Sequence, residues 1–201
     1  MKRFALILVA LVVAVMFIPQ PASAATKSMK AYDQVIKSKK TVFCSDGQNI
    51  FQVSLKTGKV KQLTARAEYD GDMPIRAMKL KGKYIYYAEI SNGTTQASIS
   101  RVKKGKWYSN QQLAYTDALE KYAVKGKKIY YIASGEKRVM NLNGSKNKAT
   151  KHKAKWKIKK SNTKKYKIIV ANDGTFFKSW LKTPKKKIPL ETMPVGYYDD
   201  L

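Results

Sequence analysis

Lys81-Gly82-Lys83-Tyr84-Ile85-Tyr86-Tyr87 recurs, 44 residues on, as Lys125-Gly126-Lys127-Lys128-Ile129-Tyr130-Tyr131. Each copy passes from a basic, glycine-containing turn into the β-branched and aromatic residues that strands favour. Weaker copies stand on either side, Val42-Phe43-Cys44-Ser45 before the pair and Ile168-Ile169-Val170-Ala171 after it. A second run follows each: residues 50–55, 99–102, 138–142 and 176–181. A third is visible at Val60-Lys61-Gln62-Leu63 and Gln111-Gln112-Leu113. Asp46-Gly47, Thr57-Gly58, Asn92-Gly93, Ser134-Gly135, Asn143-Gly144 and Asp173-Gly174 mark the turns, where glycine supplies the positive φ of tight hairpins. Sustained 3.6-residue periodicity is nearly absent. The best helical candidate, residues 115–124, reads equally well as a linker between strands.

A period of about 40–45 residues with three or four strands per unit is the signature of propeller blades. One blade cannot bury both of its apolar faces, so stacking on its neighbours creates the core. The expected fold class is therefore all-β, a propeller-like array of about four blade repeats forming a small, open or partial propeller. An irregular β-sandwich with chance similarity is the competing reading.

The Gly-Lys-x-Ile-Tyr-Tyr strand, followed by a turn and then Ile99, Arg101, Val102 and Gly105, resembles secreted bacterial β-propeller domains of unknown function. Those domains are relatives of the low-density-lipoprotein-receptor propellers. The resemblance covers residues 41–190 and marks a fold, not an activity. It implies six blades, whereas this chain holds about four repeats. A four-bladed ring, an open arc and half of a dimer all fit. If the ring closes, residues 27–40 or the tail 193–201 are the candidates for the sealing strand, because an open sheet edge invites aggregation.

The chain has 201 residues, with 41 Lys+Arg against 13 Asp+Glu and a formal net charge of +28. Hydrophobic residues make up 44%, which excludes a disordered polycation. One Cys and one His exclude a disulfide framework, a multi-cysteine zinc site and His-rich metal chemistry. Residues 1–24 read as a cleavable signal peptide: Lys2 and Arg3, an unbroken apolar run from Phe4 to Ile18, helix-breaking Pro19 and Pro21, then Ala22-Ser23-Ala24. That run is shorter than the roughly 20 apolar residues of a membrane span. The reading predicts export from a bacterial cell, to the medium or the cell envelope, with no membrane span after cleavage. Removing the leader takes two basic residues from 41, so the mature chain carries 39 − 13 = +26. Residues 25–40 form a Lys-rich leading segment, 41–190 the repeat domain and 191–201 a C-terminal tail.

The strongest local signal is electrostatic. Residues 146–187 hold 16 Lys and one acidic residue, Asp173. Within them Lys151, Lys153, Lys155, Lys157 and Lys159 alternate with His152, Ala154, Trp156 and Ile158, and Lys160, Lys164 and Lys165 extend the row. On a strand, alternation places the five ammonium groups on one face, about 6.6–7 Å apart. These residues are the candidate polyanion-binding site, for wall teichoic acid, an acidic polysaccharide or extracellular nucleic acid. Lysine attracts as a point charge, without the bidentate geometry of arginine, so little discrimination among polyanions is expected. Two simpler roles compete: edge protection against strand pairing and plain solubility. Lysines gathered on one contiguous face favour binding, whereas lysines scattered round the array favour solubility.

Catalytic chemistry finds little support. His152 lies in the lysine row, and no Ser-His-Asp arrangement is discernible. Cys44 stands where other repeats have Tyr87, Tyr131 and Val170, which predicts a buried small hydrophobe. Tyr84, Tyr86, Tyr87, Tyr130 and Tyr131 are expected between blades, and Trp107, Trp156 and Trp180 carry no assignment. Asp70-Gly71-Asp72 lacks the further carboxylates of a calcium loop and reads as a turn. Glu89, Asp117 and Glu120 are possible acid and base groups that spacing alone cannot pair. The reading is a non-enzymatic binding or scaffolding protein without metal or cofactor. A protein-interaction module using the propeller rim is the alternative, and a carbohydrate-active enzyme the third.

Overall fold

The computed structural model describes residues 26–29, 35–64, 74–91, 95–152, 165–172 and 177–190. They form four antiparallel sheets of four strands each, in a small propeller-like arrangement. Blade I contains β2 (Val35–Ser38), β3 (Thr41–Ser45), β4 (Ile50–Ser54) and β5 (Val60–Gln62). Blade II contains β6 (Ile75–Lys81), β7 (Tyr84–Ile90), β8 (Gln96–Lys103) and β9 (Gln111–Asp117). Blade III contains β10 (Leu119–Lys125), β11 (Lys128–Ala133), β12 (Glu136–Asn141) and β13 (Lys148–Ala149). These three are simple meanders, each strand pairing with the next in sequence.

Blade IV is built differently. β14 (Lys167–Asn172), β15 (Phe177–Lys182) and β16 (Lys187–Leu190) supply three strands. The fourth, β1 (Thr26–Met29), comes from the other end of the chain and pairs antiparallel with β14, Thr26 opposite Ala171 and Met29 opposite Ile168. It takes the place that β2, β6 and β10 hold in the other blades, so the two ends of the chain are tied into one sheet.

Alternation divides the apolar residues of blades I and II between two neighbours, while blade III packs on blade II and blade IV on blade I. On β7, Ile85 and Tyr87 face blade I and pack with Phe43, Ile50, Leu63 and Met78. Tyr86 and Ala88 point the other way and pack with Tyr122, Ile129, Tyr131 and Met140 of blade III. On β3, Phe43 faces blade II, while Val42 and Cys44 join Phe51 and Val53 against Ile168, Val170, Leu181 and Ile188 of blade IV. The continuous apolar runs of the repeat follow from this, because a strand covered on both faces has no polar side to alternate with.

The first strands of blades II and III are irregular. Pairing of β6 with β7 slips between Arg76 and Lys79, and pairing of β10 with β11 slips between Leu119 and Lys121. Ala77, in the β6 bulge, has φ of 52°. The bulge frees its carbonyl to accept a hydrogen bond from the buried Tyr122 hydroxyl of β10, with the Tyr86 carbonyl 3.2 Å away. Residues 115–124 form no helix: β9 ends at Asp117, Ala118 turns the chain at φ of 46°, and β10 begins at Leu119.

Ile129 is fully buried between blades II and III. Ile129→Asp is expected to cost about 4–5 kcal/mol and abolish cooperative thermal unfolding, because a carboxylate there has no water and no partner. A monodisperse mutant with a normal melt would overturn the inter-blade placement. Deleting residues 26–29 strips the partner from β14; a lower melting temperature and concentration-dependent self-association should follow, read by calorimetry and light scattering.

Candidate functional site: a lysine-rich end of the blades

In a four-stranded meander the first and third turns lie at one end of the strands, and the second turn lies at the other. In blade I the near-end turns carry Lys39 and Lys40, then Lys56 and Lys59. In blade II they carry Lys81 and Lys83, then Lys103, Lys104 and Lys106. Blade III has Lys125, Lys127 and Lys128 in the first and Lys146 in the second. In blade IV, Lys182, Lys185, Lys186 and Lys187 surround the β15–β16 turn, and Lys165 and Lys167 lead into β14 beside it.

Hydrogen bonds hold these turns together. The Leu55 amide donates to the Lys40 carbonyl at 2.8 Å, joining the two turns of blade I, and the Lys104 amide does the same to Lys83 at 2.9 Å in blade II. Between blades, the Arg101 guanidinium donates to the Leu142 carbonyl at 2.8 Å. Lys186 of blade IV lies over Gly58 of blade I, its Nζ 2.8 Å from where a Cβ on that glycine would sit.

The described acidic residues gather at the opposite end. Asp46 sits in the second turn of blade I. Glu89 pairs with Ser98 at the top of blade II, and Asp117 pairs with Gln96 beside it. Glu120 and Glu136 flank the second turn of blade III, where Glu120 accepts a 2.8 Å hydrogen bond from the Gly135 amide. Arg76, Lys121, Lys137 and Lys178 also lie towards this end, so it is mixed, whereas the lysine end contains no described carboxylate.

Blade IV concentrates the charge most. Lys167 pairs directly with Lys182, and Lys182 with Lys187, so three exposed lysines stand in a row across β14, β15 and β16. Neighbouring strands are about 4.8 Å apart, and like charges directly opposite one another are destabilising. Lys187 also covers the Trp180 ring, its Nζ 3.9 Å from the centroid.

Of the candidate polyanion-binding residues, Lys151 and Lys165 are described and both are exposed. They do not come together. Lys151 follows β13 at the acidic end, in an open groove of about 610 Å³ with Gly135, Glu136, Lys137, Ala149 and Thr150. Lys165 joins the lysine end ahead of Lys167. Lys153, Lys155, Lys157, Lys159, Lys160 and Lys164 lie outside the described residues, as do Trp156 and Asp70-Gly71-Asp72. His152 is exposed and packs edge-on against Tyr130, ring centroids 6.0 Å apart.

Two of the three candidate acid and base groups, Glu89 and Glu120, have structural partners. Glu89 accepts hydrogen bonds from Ser98 at 2.6 Å and Ser100 at 3.4 Å within blade II, while Glu120 caps the turn of blade III. Among the described residues no cluster of three His, Cys, Asp or Glu side chains is placed to hold a metal. Cys44 is free and fully buried, and burial together with the nearby Asp46 charge pushes its thiol pKa far up, which suits a packing residue and not a nucleophile. Tyr86, Tyr87 and Tyr131 are buried between blades; Tyr84 is half-buried and carries the Arg101 guanidinium over its ring at 4.2 Å.

Among the described residues, Asp46 is the buried carboxyl. Its Oδ1 accepts from the Gln48 and Asn49 amides at 3.0 and 2.8 Å, and its Oδ2 accepts from the Ser179 hydroxyl of blade IV at 3.0 Å. One residue on, the Gly47 carbonyl accepts from Ile75 of blade II at 2.6 Å. The turn thus fastens blade I to both neighbours. Burial raises the Asp46 pKa, and the three donors pull against that rise.

No family model matches the chain, and no curated protein matches it. Solved structures with a similar fold include an oligogalacturonate lyase in complex with manganese, at 12% identity and a TM-score of 0.45, covering 81% of this chain and 53% of that one. The N-terminal domain of Nup159 has 6% identity and a TM-score of 0.42, covering 86% and 47%. The GH43 protein BlXynB from Bacillus licheniformis has 13% identity and a TM-score of 0.34, covering 87% and 45%. The chain spans about half the length of these structures.

A carboxyl whose pKa is raised by folding contributes most stability below its unfolded value of about 3.9, and that contribution is lost as pH rises through the folded value. Wild type should therefore lose stability relative to Asp46→Asn as pH rises from 4 towards neutrality, measured by urea unfolding. Asp46→Ala, which abandons the two amides and Ser179, is expected to cost about 2–3 kcal/mol. Parallel pH profiles for wild type and Asp46→Asn would show that the carboxyl does not titrate differently on folding.

Proposed function

We propose that this protein is an exported, non-enzymatic module that attaches to anionic cell-envelope or extracellular polymer through the lysine end of its blades. The observation that carries the reading is segregation. Lysines occupy the near-end turns of all four blades, while the described carboxylates lie at the opposite end. Solubility requires net charge but no particular placement, and scattered charge serves it at lower cost.

The Lys167–Lys182–Lys187 row supports the same reading. Three unneutralised ammonium groups side by side oppose folding, and a polyanion laid across them relieves the repulsion and releases its own counterions. Attraction of this kind is long-ranged, salt-sensitive and tolerant of polymer chemistry, as lysine's point charge implies.

The test is binding of residues 25–201 to a polyanion across a salt series. Replacing Lys167, Lys182 and Lys187 by Gln should weaken binding and flatten the slope of log K against log salt by about two to three. The same triple variant should melt slightly higher than wild type at low salt, because it removes like-charge repulsion. Replacing Lys121 and Lys137, towards the acidic end, should leave the slope unchanged. Equal losses from both sets would overturn the lysine end as the site.

A further inference from the structure

We propose that the β8–β9 turn of blade II is a subsite for a sugar ring, so that the polymer held at the lysine end is an acidic polysaccharide. The inference rests on the polyanion reading and names its ligand. The turn reads Lys103-Lys104-Gly105-Lys106-Trp107-Tyr108-Ser109-Asn110. Tyr108 is 63% exposed, an unusual position for an aromatic side chain, and its ring lies 6.4 Å from that of Trp107.

The backbone that carries the ring is held in place. Tyr108 has φ of 47°, a left-handed conformation that a bulky residue adopts only when its surroundings impose it. Its amide donates to the Leu63 carbonyl of blade I at 3.2 Å, pinning the turn across the seam between blades. The Ser109 hydroxyl accepts from the Lys103 amide at 3.1 Å and donates to the Lys106 carbonyl at 3.3 Å. The backbone beneath the exposed Tyr108 side chain is therefore ordered before binding, which lowers the entropy lost there.

Its neighbours supply the remaining chemistry of a charged sugar. Lys103 and Lys106 are exposed and suit a carboxylate or sulfate; Asn110 and Gln112 are exposed amides that suit hydroxyl groups. Gln111 is already engaged, its Oε1 accepting from Arg101 Nε and Nη2 at 3.1 and 2.8 Å. The apolar face of a pyranose stacks on Tyr108. A polyol phosphate has no ring to offer. Single-stranded nucleic acid stacks on successive aromatic side chains along a groove. Among the described residues the other strongly exposed aromatic ring, Tyr115, stands opposite Ser98 towards the acidic end.

The experiment compares residues 25–201 with the Tyr108→Ala and Tyr108→Phe variants, each checked by its melting curve, on alginate, polyphosphate and oligo(dT). Tyr108→Ala should bind alginate about three- to tenfold more weakly at an unchanged salt slope, and polyphosphate as tightly as wild type. Tyr108→Phe should retain wild-type affinity. Undiminished alginate binding by Tyr108→Ala, with polyphosphate binding intact, overturns the sugar subsite and leaves the lysine end standing. Equal losses on alginate and polyphosphate, or a larger loss on oligo(dT), also overturn it. Wild type that binds none of the three overturns the polyanion reading beneath it.

Discussion

A blade with two apolar faces cannot cover either by itself, and blades I and II each need a neighbour on both sides. That constraint explains the central strands, where Ile85 and Tyr87 serve one neighbour and Tyr86 and Ala88 the other. It also explains why the first strand of blade IV comes from the far end of the chain. β14 carries an edge of unpaired amides and carbonyls, and β1 satisfies it while joining the termini. A fold of this kind is only as closed as its last sheet, so residues 26–29 have weight out of proportion to their number.

The same architecture decides where charge can go. With both faces of a blade buried, the turns remain the places where many lysines can stay hydrated, and the meander assigns the first and third turns of every blade to one end. A sequence that places Lys at those turns acquires a polarised molecule without any long-range design. The Lys-Gly-Lys of the repeated motif is both the turn and the charge. Tight turns take the glycine because Gly82 and Gly126 have φ of 57°, where a Cβ is strained. Flanking lysines keep their ammonium groups in water and leave the core untouched.

The blade unit was legible in the sequence because doubly buried strands are written as unbroken runs such as Tyr84–Ala88 and Ile129–Ala133. The strand preceding each run was not. β6 and β10 contain bulges that break period-2 alternation, and their charged residues make Ile75–Lys81 and Leu119–Lys125 resemble linkers. The pairing of β1 with β14 joins residues more than 130 positions apart, which no local pattern encodes. On the functional side, alternation drew attention to Lys151–Lys159, where the signal is one-dimensional. Segregation of lysine from carboxylate is a property of strand direction; it becomes visible only when turns from different blades are brought side by side. Tyr108 was hidden for the opposite reason: a Trp-Tyr pair after three lysines looks like any strand end until its exposure is known.

Buried and exposed polar groups answer to different demands here. Asp46 has two amides and a serine hydroxyl aimed at it and lies where blades I, II and IV meet; its desolvation is offset by what it fastens. The lysines of blade IV are the reverse case. They are hydrated, so they carry little desolvation cost, but Lys167, Lys182 and Lys187 repel across neighbouring strands with no described carboxylate beside them. A sheet selected for stability alone would interleave Glu at one of these positions and gain from the pair. The fold keeps that repulsion through three adjacent strands while Asp46, the buried acid among the described residues, is paired with three donors, and this contrast is what the proposed polyanion partner rests on.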